Sequence, residues 1–209
     1  MFDSSHVITT TEDLRRLVPP PRPAQQTKVL STLDIHCRKW IERSPFVVVS
    51  SVDSNGRMDL SPKGDPPGFV RILDDKTLAI PDRPGNRRLD TLHNVLEQPQ
   101  VGLMFIVPER GEVLRVAGTG HVVTDPDLLE TMTVRGRLPL LALVVEIGEV
   151  MFHCGKSIIR SKLWSPEDWP NIEGLASYAE CLGDQTTSDE TVTEMETRFK
   201  SWHHGNELY

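Results

Sequence analysis

The chain has 209 residues and a mass of 23.5 kDa, the size of one domain with extensions rather than two full domains. Hydrophobic residues make up 38% and charged residues 25%, a globular balance, and a chain this long buries a core without disulfides or a structural metal. A formal net charge of −7 excludes a general binder of nucleic acid or membrane surfaces, which needs a basic face to neutralise phosphates.

The three cysteines, Cys37, Cys154 and Cys181, lie far apart, form no CxxC pair and imply neither a disulfide framework nor a metal site. Two of them follow a histidine, but neighbours on a strand face opposite ways, so neither pair chelates one ion. The N-terminus has no charged segment followed by an apolar run, and no stretch nears the ~18 apolar residues of a spanning helix. A reducing cytoplasm is the expected setting, with no nucleic-acid or membrane partner.

Residues 1–23 end in Val18-Pro19-Pro20-Pro21-Arg22-Pro23, which no helix or central strand crosses, and read as an arm. From Gln25 to Glu42 the apolar positions Val29, Leu30, Leu33, Cys37, Trp40 and Ile41 recur at helical spacing. Pro45 to Val52 is a β-branched strand, Asp53-Ser54-Asn55-Gly56 a hairpin turn, and Arg57 to Ser61 the returning strand. Ser61 to Val70 is dense in proline and glycine and predicts an irregular loop. Phe69–Leu73 and Thr77–Ile80 form a second hairpin, and Pro81 to Asn86 a second irregular loop. Asn86 is then the expected N-cap of a helix carrying Leu89, Leu92, Val95 and Leu96, closed by Pro99. Strands follow at Val101–Val107 and Val113–Val123, then a short helix opened by Asp125-Pro126. Leu140–Phe152 predicts a central strand and Gly155–Leu163 a short helix. Gly183 to Glu190 reads as a linker before a last helix through Trp202.

Direct hairpin connections predict a mainly β chain with flanking helices, an antiparallel six-stranded barrel rather than a parallel sheet with crossover helices. The domain spans 24–169, and 170–209 is an extension. Neither GxGxxG nor GxxxxGK[ST] occurs.

The loop Pro81 to Arg88 places Arg83, Arg87 and Arg88 before a helix whose free N–H groups and dipole favour an anion. It is either a phosphate-binding corner or a solvated basic turn whose arginines pair with Asp82 and Asp90. Lys63, in the loop after the first hairpin, lies on the same side of the predicted barrel. Cations converging in an acidic chain point to a phosphorylated ligand.

The stretches PFVVVSSVDSNGRMDLSPKGD, TLAIPDRPGNRRLDTLHNVLEQPQVGLMFIVP and LRVAGTGHVV, in that order, resemble the pyridoxamine 5′-phosphate oxidase-related family of FMN-binding split barrels. The resemblance covers about residues 28–170. It implies an FMN site between two subunits of a homodimer and a small-molecule substrate. Carried over by position, it assigns Asp59, Leu60, Ser61 and Lys63 to the flavin ring, its side chain and phosphate. Asn86, Arg87 and Arg88, with Arg83 beside them, match the phosphate grip. On the segment His153 to Trp164, Lys156, Ser157 and Arg160 are expected to line the site across the interface, or to be ordinary basic residues of a surface helix. Trp164 and Trp169 are expected at that interface, and His153 is either a packed strand end or a proton donor. The family's oxidases read R-x-x-L-L-K where this chain reads Met58-Asp59-Leu60-Ser61-Pro62-Lys63, and their C-terminal R-x-S-P-like signature is absent, which puts vitamin B6 oxidation in question.

Two functions of different class follow: an FMN-dependent oxidoreductase moving hydride at the flavin, or a flavin, deazaflavin or haem binder acting as carrier or sensor without turnover. Haem, a large apolar ligand, suits an aromatic share of 6% poorly, with His121 and His153 as its axial candidates.

Overall fold

The computed structural model describes residues 2–202. Among these residues seven strands form one antiparallel sheet: β1 (Phe46–Val52), β2 (Met58–Gly64), β3 (Arg71–Ile72), β4 (Thr77–Pro81), β5 (Gln100–Ile106), β6 (Val113–Val123) and β7 (Ala142–His153). Their order is β2-β1-β5-β6-β7-β4-β3. Each strand read from the sequence forms, the hairpin expected at Phe69–Leu73 and Thr77–Ile80 as the short β3 and β4, which makes one strand more than the expected six-stranded barrel. The strands β2 and β3 are the two free edges of the sheet, and the barrel is split between them.

Inward-facing residues of the sheet close a core of Val47, Val49, Leu78, Phe105, Leu114 and Val145, each fully buried. The long β6–β7 pair shifts register between Ala117 and Gly118. A Cβ on Gly118 would stand 2.1 Å from the Glu146 carbonyl oxygen, so only glycine fits where the bulged strand closes on its partner.

The first hairpin forms where expected, but its turn is not an Asn-Gly pair with two positive φ angles. Only Gly56 has positive φ (81°), and its N–H donates to the Asp53 carbonyl. The Asp53 carboxylate accepts the N–H groups of Asn55 and Arg57 and fixes the rest of the turn. A second correction concerns Pro62, Lys63 and Gly64, expected in a loop. They continue β2, because an edge strand tolerates a proline whose missing N–H would have faced solvent.

Two short helices, α1 (Thr11–Leu17) and α2 (Pro23–Thr27), belong to the N-terminal segment and bury no residue. The single helix expected from Gln25 is therefore two. The second, α3 (Ile35–Arg43), starts where the Asp34 carboxylate accepts the Cys37 N–H, and it buries Cys37 and Ile41. Helix α4 (Asp90–Glu97) packs on β1 and β6, while α5 (Pro126–Glu130) opens on Asp125 and Pro126 as the sequence predicts. Helix α6 (Lys156–Ser161) follows β7.

The C-terminal segment forms a helical pair, α7 (Tyr178–Gln185) and α8 (Val192–Trp202), with Ala179 and Met195 buried. The linker expected from Gly183 begins three residues late, because α7 runs on to Gln185. Its signal was in the sequence: Ser177 and Glu180 make a reciprocal capping box. None of the helices among the described residues is long and apolar enough to cross a membrane.

Candidate functional site at the barrel split

Strand β2 is built in reverse of an ordinary barrel strand. Asp59, Ser61 and Lys63 pair in register with Ser51, Val49 and Val47, so they occupy the inward row, where apolar side chains would fill a packed barrel. Its outward row carries Met58 and Leu60, 63% and 69% exposed. The inward row makes a half-buried polar ledge. Leu60 stands on the other face, beside Val48, Met104 and Met151.

Polar contacts fasten α4 over this ledge. The Thr91 hydroxyl donates to Asp59 Oδ2 at 2.6 Å, Asn94 Nδ2 donates to Ser51 Oγ at 3.0 Å, and the Ser54 hydroxyl donates to Glu97 at 2.8 Å. The Ser54 bonds hold the Glu97 carboxyl below its ordinary range. Thr91 is buried beside Leu92 and Val95, whereas the expected core residues Leu89 and Leu96 are exposed. A hydroxyl residue on the buried face of an amphipathic helix was the signal that sequence reasoning missed.

The loop from Asp82 to Leu89 meets the end of β2 and bridges the split. Lys63 Nζ lies 3.4 Å from Asp82 Oδ1, both partly exposed. Arg83 Nε donates to Asp65 Oδ2 at 2.6 Å and its Nη2 to the Met132 carbonyl at 2.8 Å. That pair is buried, with side chains 15% and 1% exposed. Lys63 and Arg83 thus do come together, but each meets a carboxylate from the facing loop.

Asn86 does not cap α4. Its Oδ1 accepts the Arg88 N–H, and the helix starts four residues later, with Leu89 in the cap position making no side-chain cap. The Arg88 guanidinium donates to Asp90 at 2.6 Å and holds that carboxyl below its ordinary range. This is the Asp90 pairing of the solvated-turn alternative; Asp82 pairs with Lys63 instead of an arginine. Arg87 makes no ion pair among the described residues and is exposed. Both Arg87 (φ 61°) and Leu89 (φ 58°) take left-handed backbone conformations, unfavourable for side chains of their size. An uncapped helix start, a strained approach and one unpaired arginine remain at the corner.

Lys156, Ser157 and Arg160 do not join this corner within one chain. Helix α6 follows the end of β7 at His153, whereas the loop from Asp82 leaves β4 at Pro81, which pairs with Ala142 at the opposite end of β7. Gly155 packs its backbone against Gly111, where a Cβ would come within 2.7 Å of the Gly111 carbonyl carbon. Trp164 Nε1 donates to the Arg110 carbonyl, and Trp169 is exposed. His153 closes β7 and is exposed; His121 lies 3.3 Å from Glu146 at the surface. Among the described residues no group of three or more His, Cys, Asp or Glu side chains converges as a metal set.

A family model described as pyridoxamine 5′-phosphate oxidase matches residues 33–154. Among solved structures, HupZ of Group A Streptococcus is 19% identical, with 56% of this chain and 91% of that chain covered at a TM-score of 0.46. An FMN-binding protein of Syntrophomonas wolfei is 15% identical, with 56% and 88% covered at 0.43. HutZ, a haem storage protein of Vibrio cholerae, is 15% identical, with 58% and 94% covered at 0.43. No curated protein matches the chain.

Proposed function

The chain belongs to the pyridoxamine 5′-phosphate oxidase family, and from that premise we propose that it is an FMN-binding oxidoreductase acting on a small-molecule substrate. The observation that carries this reading is the reversed strand β2. Its polar inward row suits the hydroxyl chain and phosphate of FMN, and its apolar outward row suits a second copy of the chain. When bound, FMN supplies a hydride carrier at its ring.

Lys63, Arg87, Arg88 and the open first turn of α4 would hold the phosphate, with Asn86 fixing the turn. Asp59 and Ser61 offer acceptors and a donor to the hydroxyl chain. Arg83 is spent on Asp65 and the Met132 carbonyl, so its part is to hold the loop in place. The outward face of Leu60, Val48, Met104 and Met151 is the surface of a homodimer. A second copy seated there is what would carry Lys156, Ser157 and Arg160 to a site at the interface. Cys37, Cys154 and Cys181 are free.

The same corner favours a second reading, a flavin carrier without turnover. Asp82 and Asp90 already answer Lys63 and Arg88, so a phosphate has to displace carboxylates to bind, which eases release. Stopped-flow mixing of the FMN-loaded protein with NADH or NADPH separates the two. Bleaching of the flavin band and recovery in air support the oxidoreductase. A flavin band unmoved by either nicotinamide and by air leaves the carrier.

A further inference from the structure

Away from the split, a groove of about 480 Å3 lies between α3, the turn joining β5 to β6, and the end of β7. That volume suits a small organic ligand. His36, Lys39, Trp40 and Arg43 line one wall. Their spacing of three, four and seven residues puts them on one stripe of α3, while Cys37 and Ile41 face the core. Arg110 and Glu112 form the other wall, and Phe152 meets Trp40 edge to face at 5.2 Å.

The charge of this groove is not answered internally. Glu112, 3.6 Å from Arg110, is its one carboxylate. Lys39 and Arg43 form no ion pair among the described residues; Arg43 donates to the Lys39 carbonyl at 2.9 Å. Three permanent cations against one carboxylate leave the groove positive in a chain of net charge −7. Its aromatic wall is prepared too. The Arg110 guanidinium lies 5.7 Å from the Trp40 ring centre, within range of a cation–π contact. Trp40 Nε1 is buried with no acceptor among the described residues.

We propose that this groove binds a heteroaromatic phosphate of nucleotide size, its flat body against Trp40 and Phe152 and its phosphate between Lys39, Arg43 and Arg110. It shares no residue with the barrel split and does not rest on the flavin reading.

The test is calorimetric titration of the full-length protein with adenosine 5′-monophosphate, adenosine and ribose 5-phosphate. One adenosine monophosphate per chain is expected, with adenosine and ribose 5-phosphate each at least about tenfold weaker. Lys39→Gln with Arg43→Gln is expected to weaken it by about a hundredfold, since two charge-assisted contacts are lost. Trp40→Ala removes the aromatic wall and is expected to weaken it about tenfold. Circular dichroism melts of each variant confirm that the fold is retained. No binding of the nucleotide, equal binding of ribose 5-phosphate, or indifference to Lys39→Gln with Arg43→Gln overturns the proposal. Loss of binding in Lys63→Ala with Arg87→Ala, but not in the groove variants, places the nucleotide at the split and overturns it as well.

Discussion

The barrel split and the α3 groove are both lined with basic side chains, yet the fold treats them in opposite ways. At the split, Lys63, Arg83 and Arg88 each meet a carboxylate, and Arg87 alone is without an ion pair among the described residues. In the groove, Lys39 and Arg43 meet none. A run of arginines in a sequence is therefore a weaker sign of an anion site than it looks, because long-range partners can neutralise it. What distinguishes the split is the polar ledge of β2 and the uncapped α4; what distinguishes the groove is charge without a partner. A phosphate at the split enters by exchange with Asp82 and Asp90, whereas one in the groove competes only with Glu112 for Arg110 and meets Lys39 and Arg43 without ion pairs among the described residues.

The largest effect belongs to the buried pair that bridges the split. Asp65→Ala leaves the Arg83 guanidinium buried beside an empty carboxylate position and is expected to cost about 3–5 kcal/mol in urea unfolding. A loss under about 1 kcal/mol would mean that the loop is held by other contacts. Next comes the exchange itself. Lys63→Ala with Arg87→Ala is expected to weaken FMN uptake by about a hundredfold, read by fluorescence quenching of the flavin. Asp82→Asn frees Lys63 from its competitor and is expected to tighten FMN about threefold. Weaker binding in Asp82→Asn would show that the carboxylate orients the lysine instead of competing for it.

A separate effect, read against pH, lies on the core face of α3. Burial and the neighbouring Asp34 push the Cys37 thiol up to about 11, from an ordinary value of 9.0. The unfolded chain thus releases this proton first, and the stabilisation present below about pH 9 is lost as pH rises through 11. Chemical unfolding at stepped pH is expected to show this decline, which Cys37→Ala removes.

Much of the barrel was legible because its signals are local. Asp125-Pro126 opens α5, and the β6 strand has the bounds its β-branched pattern predicts. The misreadings share a different cause. Pro62 is tolerated only because β2 is an edge, and edge status belongs to the whole sheet. The start of α3 depends on Asp34, a cap overlooked in favour of apolar periodicity. At the split, Asp65 and Arg83 are eighteen positions apart, so their pairing is invisible until the sheet curls. The groove is harder still: its basic residues come from α3 and from a turn some seventy positions later, and neither stretch reads as a motif alone. The reversed pattern of β2 was present in Met58-Asp59-Leu60-Ser61, but its sense depends on knowing which face is inward.

The central claim is that the split holds FMN, and the most direct measurement is an absorption spectrum of the purified protein with acid release and mass of any chromophore. Oxidised-flavin bands and release of FMN at about one per chain are the predicted result. A colourless protein that also fails to take up added FMN would contradict the account and leave β2 with no ligand for its polar row.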